Sequence, residues 1–214
     1  MIYLKETFDL APASPETRDT FIAFAETDLL PAYEKLGARL VGAFFSHAEW
    51  YGQVTQVLEF DSLAGFEVSR AAASADAAWS ECERRLEQLA PRRSAQLLEP
   101  LGPIPPETLA NPIRESAAKP LNAYSLAVLE VAPGKMADFV ATLDAVKQMF
   151  PIVACWGAVA GNPNEVLDLW KGALGQEPYS PADERSKAFF RPLREMAPRE
   201  RLVNLYCLPY SPLR

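Results

Sequence analysis

Two hydrophobic patterns follow one another at the start of the chain. Residues 2–10 alternate hydrophobic with polar side chains, a period of two that is typical of a β-strand. Residues 14–37 then place large apolar side chains three or four positions apart, the spacing of one helix face. Ser14 and Pro15 suit the start of this helix, Gly37 suits its end, and we expect Pro31 to kink it.

The same order of patterns recurs in both halves of the chain. The first half continues with predicted strands at 40–46 and 54–60, a helical region from residue 61 to 89 and a strand at 95–98. The second half predicts, in order, a strand at 125–131, a helix at 136–150, strands at 152–160 and 165–170, a helix at 183–196 and a strand at 202–208. Each half therefore has the order β-α-β-β-α-β of a ferredoxin-like domain with a four-stranded antiparallel sheet.

A proline-rich segment separates the two halves. Prolines recur between Pro100 and Pro120, where apolar periodicity is lost, and proline disfavours the interior of regular elements. We predict a domain at residues 1–101, a linker at 102–121 with one short helical turn, and a second domain at 122–214. Helices cover one face of each antiparallel sheet, and the other face must be buried as well. The two sheets are therefore predicted to pack face to face, which makes the chain an α+β pseudo-dimer.

Composition excludes several classes of protein. The net charge of −7 over 214 residues disfavours nucleic acid and anionic membranes as partners, because both bind clustered Lys and Arg. No apolar stretch is long enough to span a membrane, and the first residues lack the features of a signal peptide. Three widely spaced cysteines and a single histidine predict reduced thiols, a cytoplasmic location and no metal site.

Short patches of sequence in both halves match the pattern of one known family. In the first half they include residues 29–35 (LLPAYEK), 59–63 (EFDSL) and 97–101 (LLEPL). Weaker matches lie at 131–135 (VAPGK) and 208–212 (LPYSP) in the second half. Together these patches resemble the NIPSNAP family of the dimeric α/β-barrel superfamily. The resemblance implies a tandem duplicated domain of ferredoxin-like fold, no known cofactor and an undefined biochemical role.

The chain departs from the pattern of that family at positions that usually carry polar groups. The usual Arg of the first strand corresponds to Glu6 in the first half and Ala127 in the second. The usual His two places before the Trp of the third strand corresponds to Gln56 and Asp168, and the Trp is kept only as Trp170. An activity that depends on the usual Arg and His is therefore not expected in its usual form.

The only histidine, His47, lies in a segment rich in aromatic and polar groups. An imidazole could act as a base near neutral pH, with Glu49 orienting it and Tyr51 donating a proton. The alternative is a structural turn, because Gly52 interrupts the strand and no nucleophile motif accompanies the histidine. We predict the structural turn, with His47 exposed and Trp50 buried between the two halves.

Five other residues are candidates for binding a small molecule. Asp168 and Trp170 share one face of a strand, as do Tyr3 and Lys5 in the first strand. If the first of these faces lines a cavity, burial is expected to raise the pKa of Asp168, whereas a solvent-facing Asp168 would be an ordinary surface acid. Tyr3 and Lys5 are candidates for a polar cavity lining or a solvated sheet edge, and Gln56 is the first-half equivalent of Asp168.

Two classes of function remain open at this point. One is a non-catalytic module that binds a small molecule or a protein, or that assembles further into homo-oligomers. The other is a cofactor-independent monooxygenase or isomerase that acts on a small apolar organic molecule. The departures from the family pattern favour the first, and an enclosed cavity of roughly 300 Å³ or more with a polar floor would favour the second.

Overall fold

The computed structural model describes residues 1–47, 50–102, 109–147, 150–174 and 181–214, except the side chains of residues 146, 185, 186 and 189. The first half contains four strands, which are β1 (Ile2–Asp9), β2 (Arg39–Ser46), β3 (Gln53–Phe60) and β4 (Arg92–Pro100). Its helices are α1 (Pro15–Phe24), α2 (Leu30–Lys35), α3 (Leu63–Ser74) and α4 (Ala77–Leu89). This order of elements is the one that the hydrophobic patterns predict.

Local capping explains where the first-half helices begin. The Ser14 hydroxyl accepts a hydrogen bond from the Thr17 backbone nitrogen at 3.2 Å, which satisfies one of the free donors at the start of α1. Asp76 caps α4 in the same way and separates it from α3. Between α1 and α2 the helix widens into a π-helical segment, Ala25–Leu29, so the irregularity expected at Pro31 lies one turn earlier.

The second half follows a short linker helix. This helix, α5 (Ala110–Ala118), is longer than the single turn predicted from the sequence. The elements after it are β5 (Ala123–Glu130), α6 (Met136–Val146), β6 (Ile152–Ala158), β7 (Glu165–Lys171), α7 (Glu184–Met196) and β8 (Arg199–Cys207). Pro192 lies inside α7, where it removes one backbone donor from the helix.

All eight strands join into one closed antiparallel barrel, in the order β1-β3-β2-β8-β5-β7-β6-β4. Each half contributes four neighbouring strands, and the halves meet where β2 pairs with β8 and where β4 pairs with β6. The prediction of two sheets packed face to face is therefore incomplete, because the sheet edges also hydrogen-bond to each other. Closure removes the unpaired edges that two separate sheets would expose.

The inner faces of both halves form a shared core inside the barrel. Tyr3 packs on Trp156 with ring centroids 5.5 Å apart, and Phe44 packs on Tyr124 at 5.7 Å. Leu109, at the start of the linker helix, and the near-terminal Leu213 belong to the same buried cluster. The linker and the C-terminal segment thus stabilise the barrel from within.

The outer faces of the strands carry two further cores beneath the helices. One lies in the first half and includes Phe8, Phe21 and Leu86, and the other lies in the second half and includes Phe139 and Leu143. The three cysteines are free thiols, namely Cys82, Cys155 and Cys207. The last two lie on β6 and β8, the outer strands of the second-half sheet, so they are too far apart for a disulfide.

Candidate functional site

Strand register makes the outer faces of the two halves directly comparable. Gln56 on β3 pairs with Glu6 on β1, and Asp168 on β7 pairs with Ala127 on β5. These two pairs occupy equivalent positions beneath the helices of their halves. The same register equates Phe8 with Leu129, the next outward-facing position along the first strand of each half.

In the first half the space over these positions is filled by side chains. The Tyr33 hydroxyl donates a short hydrogen bond to Glu6, and the Tyr33 ring packs on Trp79 with centroids 5.4 Å apart. Gln56 Nε2 donates to the Tyr210 hydroxyl at 2.7 Å. Burial raises the pKa of Glu6, which favours its protonated form. This half therefore uses its polar positions to hold its own aromatic side chains.

In the second half the equivalent space is a cavity of about 370 Å³ between the sheet and the helices α6 and α7. Its walls are apolar and include Leu129, Phe139, Leu143, Phe150, Phe190 and Leu193. Its polar lining consists of Asp168 and Trp170 from β7, together with Arg194 and Glu200, which form an ion pair with each other. The size, apolar walls and few polar groups are those of a small-molecule site.

Smaller side chains explain why this space is open in the second half, whereas the equivalent space in the first half is filled. Ala127 stands where the first half has Glu6, and Leu129 stands where it has Phe8. Removing a carboxyl-bearing chain and a ring leaves volume that the surrounding helices do not refill.

Asp168 is the dominant polar group of this cavity. The residue is only 3% exposed, and its Oδ1 atom has no hydrogen-bond partner among the described residues. Burial raises the pKa of Asp168 from 3.8 to about 7, while a hydrogen bond from the Cys155 thiol opposes this shift and Glu200 adds to it. Cys155 lies directly opposite on β6, and burial raises the pKa of its thiol as well. Near neutral pH the Asp168 carboxyl can therefore either donate or accept a proton.

Trp170 supplies the second polar atom of the cavity floor. Its ring packs edge-on against Phe150 with centroids 5.0 Å apart, which fixes its orientation. The indole Nε1 atom is buried and also lacks a hydrogen-bond partner within the described part of the chain. A buried donor left unpaired costs about 1–3 kcal/mol, so a ligand that accepts its hydrogen bond recovers that free energy.

The predicted catalytic candidates lie elsewhere, at the exposed turn between β2 and β3. His47 stacks on Tyr51 with ring centroids 4.4 Å apart, and its Nδ1 accepts a hydrogen bond from the Gly52 backbone nitrogen at 3.4 Å. Tyr51 is 61% exposed, and Gly52 adopts a φ of +83°, which favours glycine at this tight turn. The third candidate, Glu49, lies outside the described residues.

The predicted burial of Trp50 between the halves is wrong. The side chain is 54% exposed, and the Arg92 guanidinium lies over its ring at 5.2 Å from the centroid. The turn leaves the indole exposed, and the aromatic contacts between the halves are made inside the barrel by Tyr3 and Phe44.

Replacement of His47 by Ala is expected to change the free energy of unfolding by no more than about 0.5 kcal/mol, because the side chain is exposed. Urea denaturation of the wild type and the variant measures the difference. A loss above about 2 kcal/mol would mean that the turn is a buried structural anchor.

The remaining binding candidates are divided among three places. Asp168 and Trp170 line the same cavity, whereas Gln56 lies beneath the helices of the first half. Tyr3 and Lys5 point into the barrel, on the other side of the sheet. Cys155 was not anticipated, because its position opposite Asp168 depends on a strand register that hydrophobic alternation does not specify.

Eight antiparallel strands closed into a barrel, with helices outside and a cavity between sheet and helices, define an α/β-barrel fold. A family model described as NIPSNAP matches residues 8–102. This match confirms the resemblance to the NIPSNAP family that the sequence shows in the first half of the chain. No curated protein sequence matches the chain.

Solved structures share the fold of the whole chain. A protein of Lactobacillus acidophilus, provisionally named a monooxygenase, is 15% identical, and the match covers 95% of this chain and 92% of that one with a TM-score of 0.57. A protein of Fusobacterium nucleatum with the same provisional name is 10% identical, with 97% and 92% covered and a TM-score of 0.59. An anthrone oxidase-like protein is 12% identical, with 100% and 94% covered and a TM-score of 0.56.

Metal-binding clusters and membrane-spanning helices are both absent from the described part of the chain. No group of three or more His, Cys, Asp or Glu side chains among them is arranged to hold a metal ion. No helix formed by them is long and apolar enough to cross a membrane.

Proposed function

We propose that the cavity of the second half binds a small, mainly apolar organic molecule that carries a hydrogen-bonding group. The observation behind this proposal is the pair of buried polar atoms, Asp168 Oδ1 and Trp170 Nε1, that lack partners among the described residues in an otherwise apolar cavity. An apolar ligand gains about 25 cal/mol for each Å² of its surface that leaves water. The two polar atoms would orient it, because each regains a hydrogen bond.

In this proposal the chain is a tandem of two ferredoxin-like, NIPSNAP-type domains at residues 1–101 and 122–214, joined by the linker. The strand orders β4-β1-β3-β2 and β8-β5-β7-β6 support it, because both place the fourth, first, third and second strands of their half side by side in that order. The first domain would be a packed structural partner and the second the binding domain. Three free thiols fit a reducing compartment such as the cytoplasm.

Cofactor-independent acid–base catalysis, by a monooxygenase or an isomerase, is the second candidate function. The pKa of Asp168, raised by burial to about 7, favours it, because a general base is most effective when its pKa lies near the working pH. Ionised Asp168 would take a proton from an acidic C–H or O–H of the ligand and leave the electron pair on the ligand as an enolate or phenolate. Return of the proton to another carbon completes an isomerisation. For a monooxygenase, molecular oxygen would be the co-substrate that oxidises a CH2 group of this anion to C=O, with one oxygen atom entering the carbonyl and the other leaving as water.

A thermal-shift screen of small aromatic and alicyclic compounds tests the binding proposal. A ligand at 100 times its dissociation constant adds about 2.7 kcal/mol of stability, which raises the melting temperature by roughly 5–10 °C for a chain of this size. The variant Leu129→Phe places in the cavity the ring that the first half carries as Phe8, and we expect it to abolish the shift. The control Leu63→Phe adds the same ring at an exposed position, 44% accessible, and should keep the shift.

The outcome separates the two candidate functions. Ligands that stabilise the wild type and Leu63→Phe but not Leu129→Phe support binding in the cavity. Turnover of such a ligand that Asp168→Asn removes, with binding retained, supports catalysis. Ligand shifts of equal size in wild type and Leu129→Phe would contradict the proposed site.

A further inference from the structure

The interior of the barrel is polar at one end and apolar at the other. Along β1 the inward-facing side chains change from Tyr3 in the buried core to Lys5, Thr7 and Asp9. Thr7 has Thr55 and Ser94 beside it on the neighbouring strands. The polar end is not filled and holds a cavity of about 280 Å³. This cavity lies on the inner side of the sheet, whereas Asp168 faces the helices on the outer side.

The cavity contains more basic than acidic side chains. Its basic lining residues are Lys5, Arg92, Arg93 and Arg201, and its acidic lining residue is Asp9. Asp9 is already engaged, since its Oδ1 accepts a hydrogen bond from Gln53 Nε2 at 2.7 Å. The cavity therefore carries positive charge that its one lining carboxylate does not fully neutralise.

Lys5 is more buried than the other basic side chains of this lining, since the arginines are exposed. Its side chain is partly buried, and no carboxylate of the described residues lies within ion-pairing distance of it. Burial lowers the pKa of Lys5, Glu165 raises it, and the nearby Arg201 lowers it. Glu165 accepts a hydrogen bond from Gln96 at 2.5 Å, which holds that carboxylate toward β4. A partly buried ammonium group whose positive charge is not neutralised is stabilised by an anion placed against it.

We propose that the polar end of the barrel is a second binding site, which takes a small organic anion with its carboxylate or phosphate against Lys5. The Thr7, Thr55 and Ser94 hydroxyls supply neutral donors around that position. Leu126, Val203 and Leu205 line another wall of the same cavity and would contact the apolar part of the ligand. This site is independent of the proposed function at Asp168, because it lies on the opposite face of the sheet.

The test follows the ¹³Cε resonance of Lys5 in lysine-labelled full-length protein. The resonance is assigned by its absence from Lys5→Arg, which keeps the positive charge, and from Lys5→Met, which removes it. The probes are benzoate, phenyl phosphate and the neutral benzamide, added at constant ionic strength. The control variant Lys135→Met removes an exposed lysine of the second half whose partner is Asp138.

We expect benzoate or phenyl phosphate to shift the Lys5 resonance saturably, and benzamide to leave it unchanged. A response to one anion but not the other identifies whether the group bound is a carboxylate or a phosphate. Calorimetry should show binding at least about tenfold weaker in Lys5→Met than in Lys135→Met, because a hydrogen bond to a charged group is lost. Lys5→Arg should bind more tightly than Lys5→Met.

Three results would overturn the proposal. The first is a Lys5 resonance that neither anion moves. The second is an equal response to benzamide, which would show that charge is not recognised. The third is anion affinity that Asp168→Asn reduces and Lys5→Met does not, which would place the anion in the other cavity. Because the two cavities are distinguished by these variants, failure here leaves the proposed function at Asp168 untouched, and the reverse also holds.

Discussion

Replacement of Asp168 by Asn is expected to raise the free energy of unfolding at pH 8 by on the order of 4 kcal/mol. The pKa of Asp168 in the folded protein is raised by burial from 3.8 to about 7, so at pH 8 the folded state must hold a buried, ionised carboxylate. Asparagine has the same shape and carries no charge. Equilibrium urea denaturation at several pH values measures the difference between wild type and variant.

The sign of the pH dependence follows from the raised pKa. The folded state binds the proton more tightly than the unfolded state, so the contribution of Asp168 to stability is fully present below pH 3.8. That contribution is lost as the pH rises from about 4 to about 7. The advantage of Asp168→Asn should therefore be absent near pH 3.5, grow through this window and level off above it.

Asp138→Asn is the matched control, because Asp138 is an exposed acid on α6 in the same half of the chain. It should change stability by less than about 1 kcal/mol at all pH values, as expected for an exposed ion pair. The alternative is that Asp168→Asn behaves like this control or destabilises the protein at pH 8. Either result would contradict a buried Asp168 carboxylate that no cation of the described residues neutralises.

Replacement of Trp156 by Ala is expected to cost about 3–5 kcal/mol, the second large effect. Trp156 is 2% exposed and belongs to the second half, but its ring packs on Tyr3 of the first half inside the barrel. Truncation should therefore weaken both halves together, and denaturation followed by circular dichroism should remain a single transition at lower urea concentration.

Trp50→Ala provides a control with the same chemical change at a 54% exposed position, and it should cost less than about 1 kcal/mol. The opposite ranking of the two tryptophans would contradict the shared interior core. A biphasic transition in Trp156→Ala, with one half melting independently, would contradict the single closed barrel.

The order of strands and helices was predictable because it rests on local periodicity. The alternation in β1 and the helical spacing of Phe21 and Phe24 are visible in the sequence, as is the serine that caps α1. The linker was recognisable from its prolines, although the length of α5 was not. The β2–β8 and β4–β6 pairings join residues far apart in sequence, and no local pattern specifies which sheet edges meet.

The candidate cavity could be predicted only in part. The shared face of Asp168 and Trp170 followed from alternation, as did the expectation that a cavity would raise the pKa of Asp168. Whether that face meets a cavity depends on what is missing around it, such as the carboxyl absent at Ala127 and the ring absent at Leu129. Those absences have meaning only once the register of both halves is known. The prediction of a buried Trp50 was wrong for a related reason, because the direction of this side chain is set by turn geometry and not by periodicity.

The two halves illustrate how one arrangement can serve two purposes. In the first half Glu6 and Gln56 bind Tyr33 and Tyr210, so the polar positions contribute to packing. In the second half the Oδ1 atom of the equivalent Asp168 has no hydrogen-bond partner within the described residues and faces open volume. In the proposed tandem arrangement one half would stabilise the barrel while the other keeps a cavity, since stability and binding place opposite demands on the same positions.

The indole N–H spectrum of ¹⁵N-labelled protein tests the central claim most directly. The chain has 4 tryptophans, so the spectrum has one resonance in the cavity, from Trp170, and three internal controls from Trp50, Trp79 and Trp156. Small apolar molecules with a hydrogen-bond acceptor should shift the Trp170 resonance downfield and saturably, with the other three unchanged, and Leu129→Phe should abolish the response. Binding that leaves Trp170 unmoved, or that shifts the Trp156 resonance inside the barrel instead, would contradict a ligand site at Asp168 and Trp170.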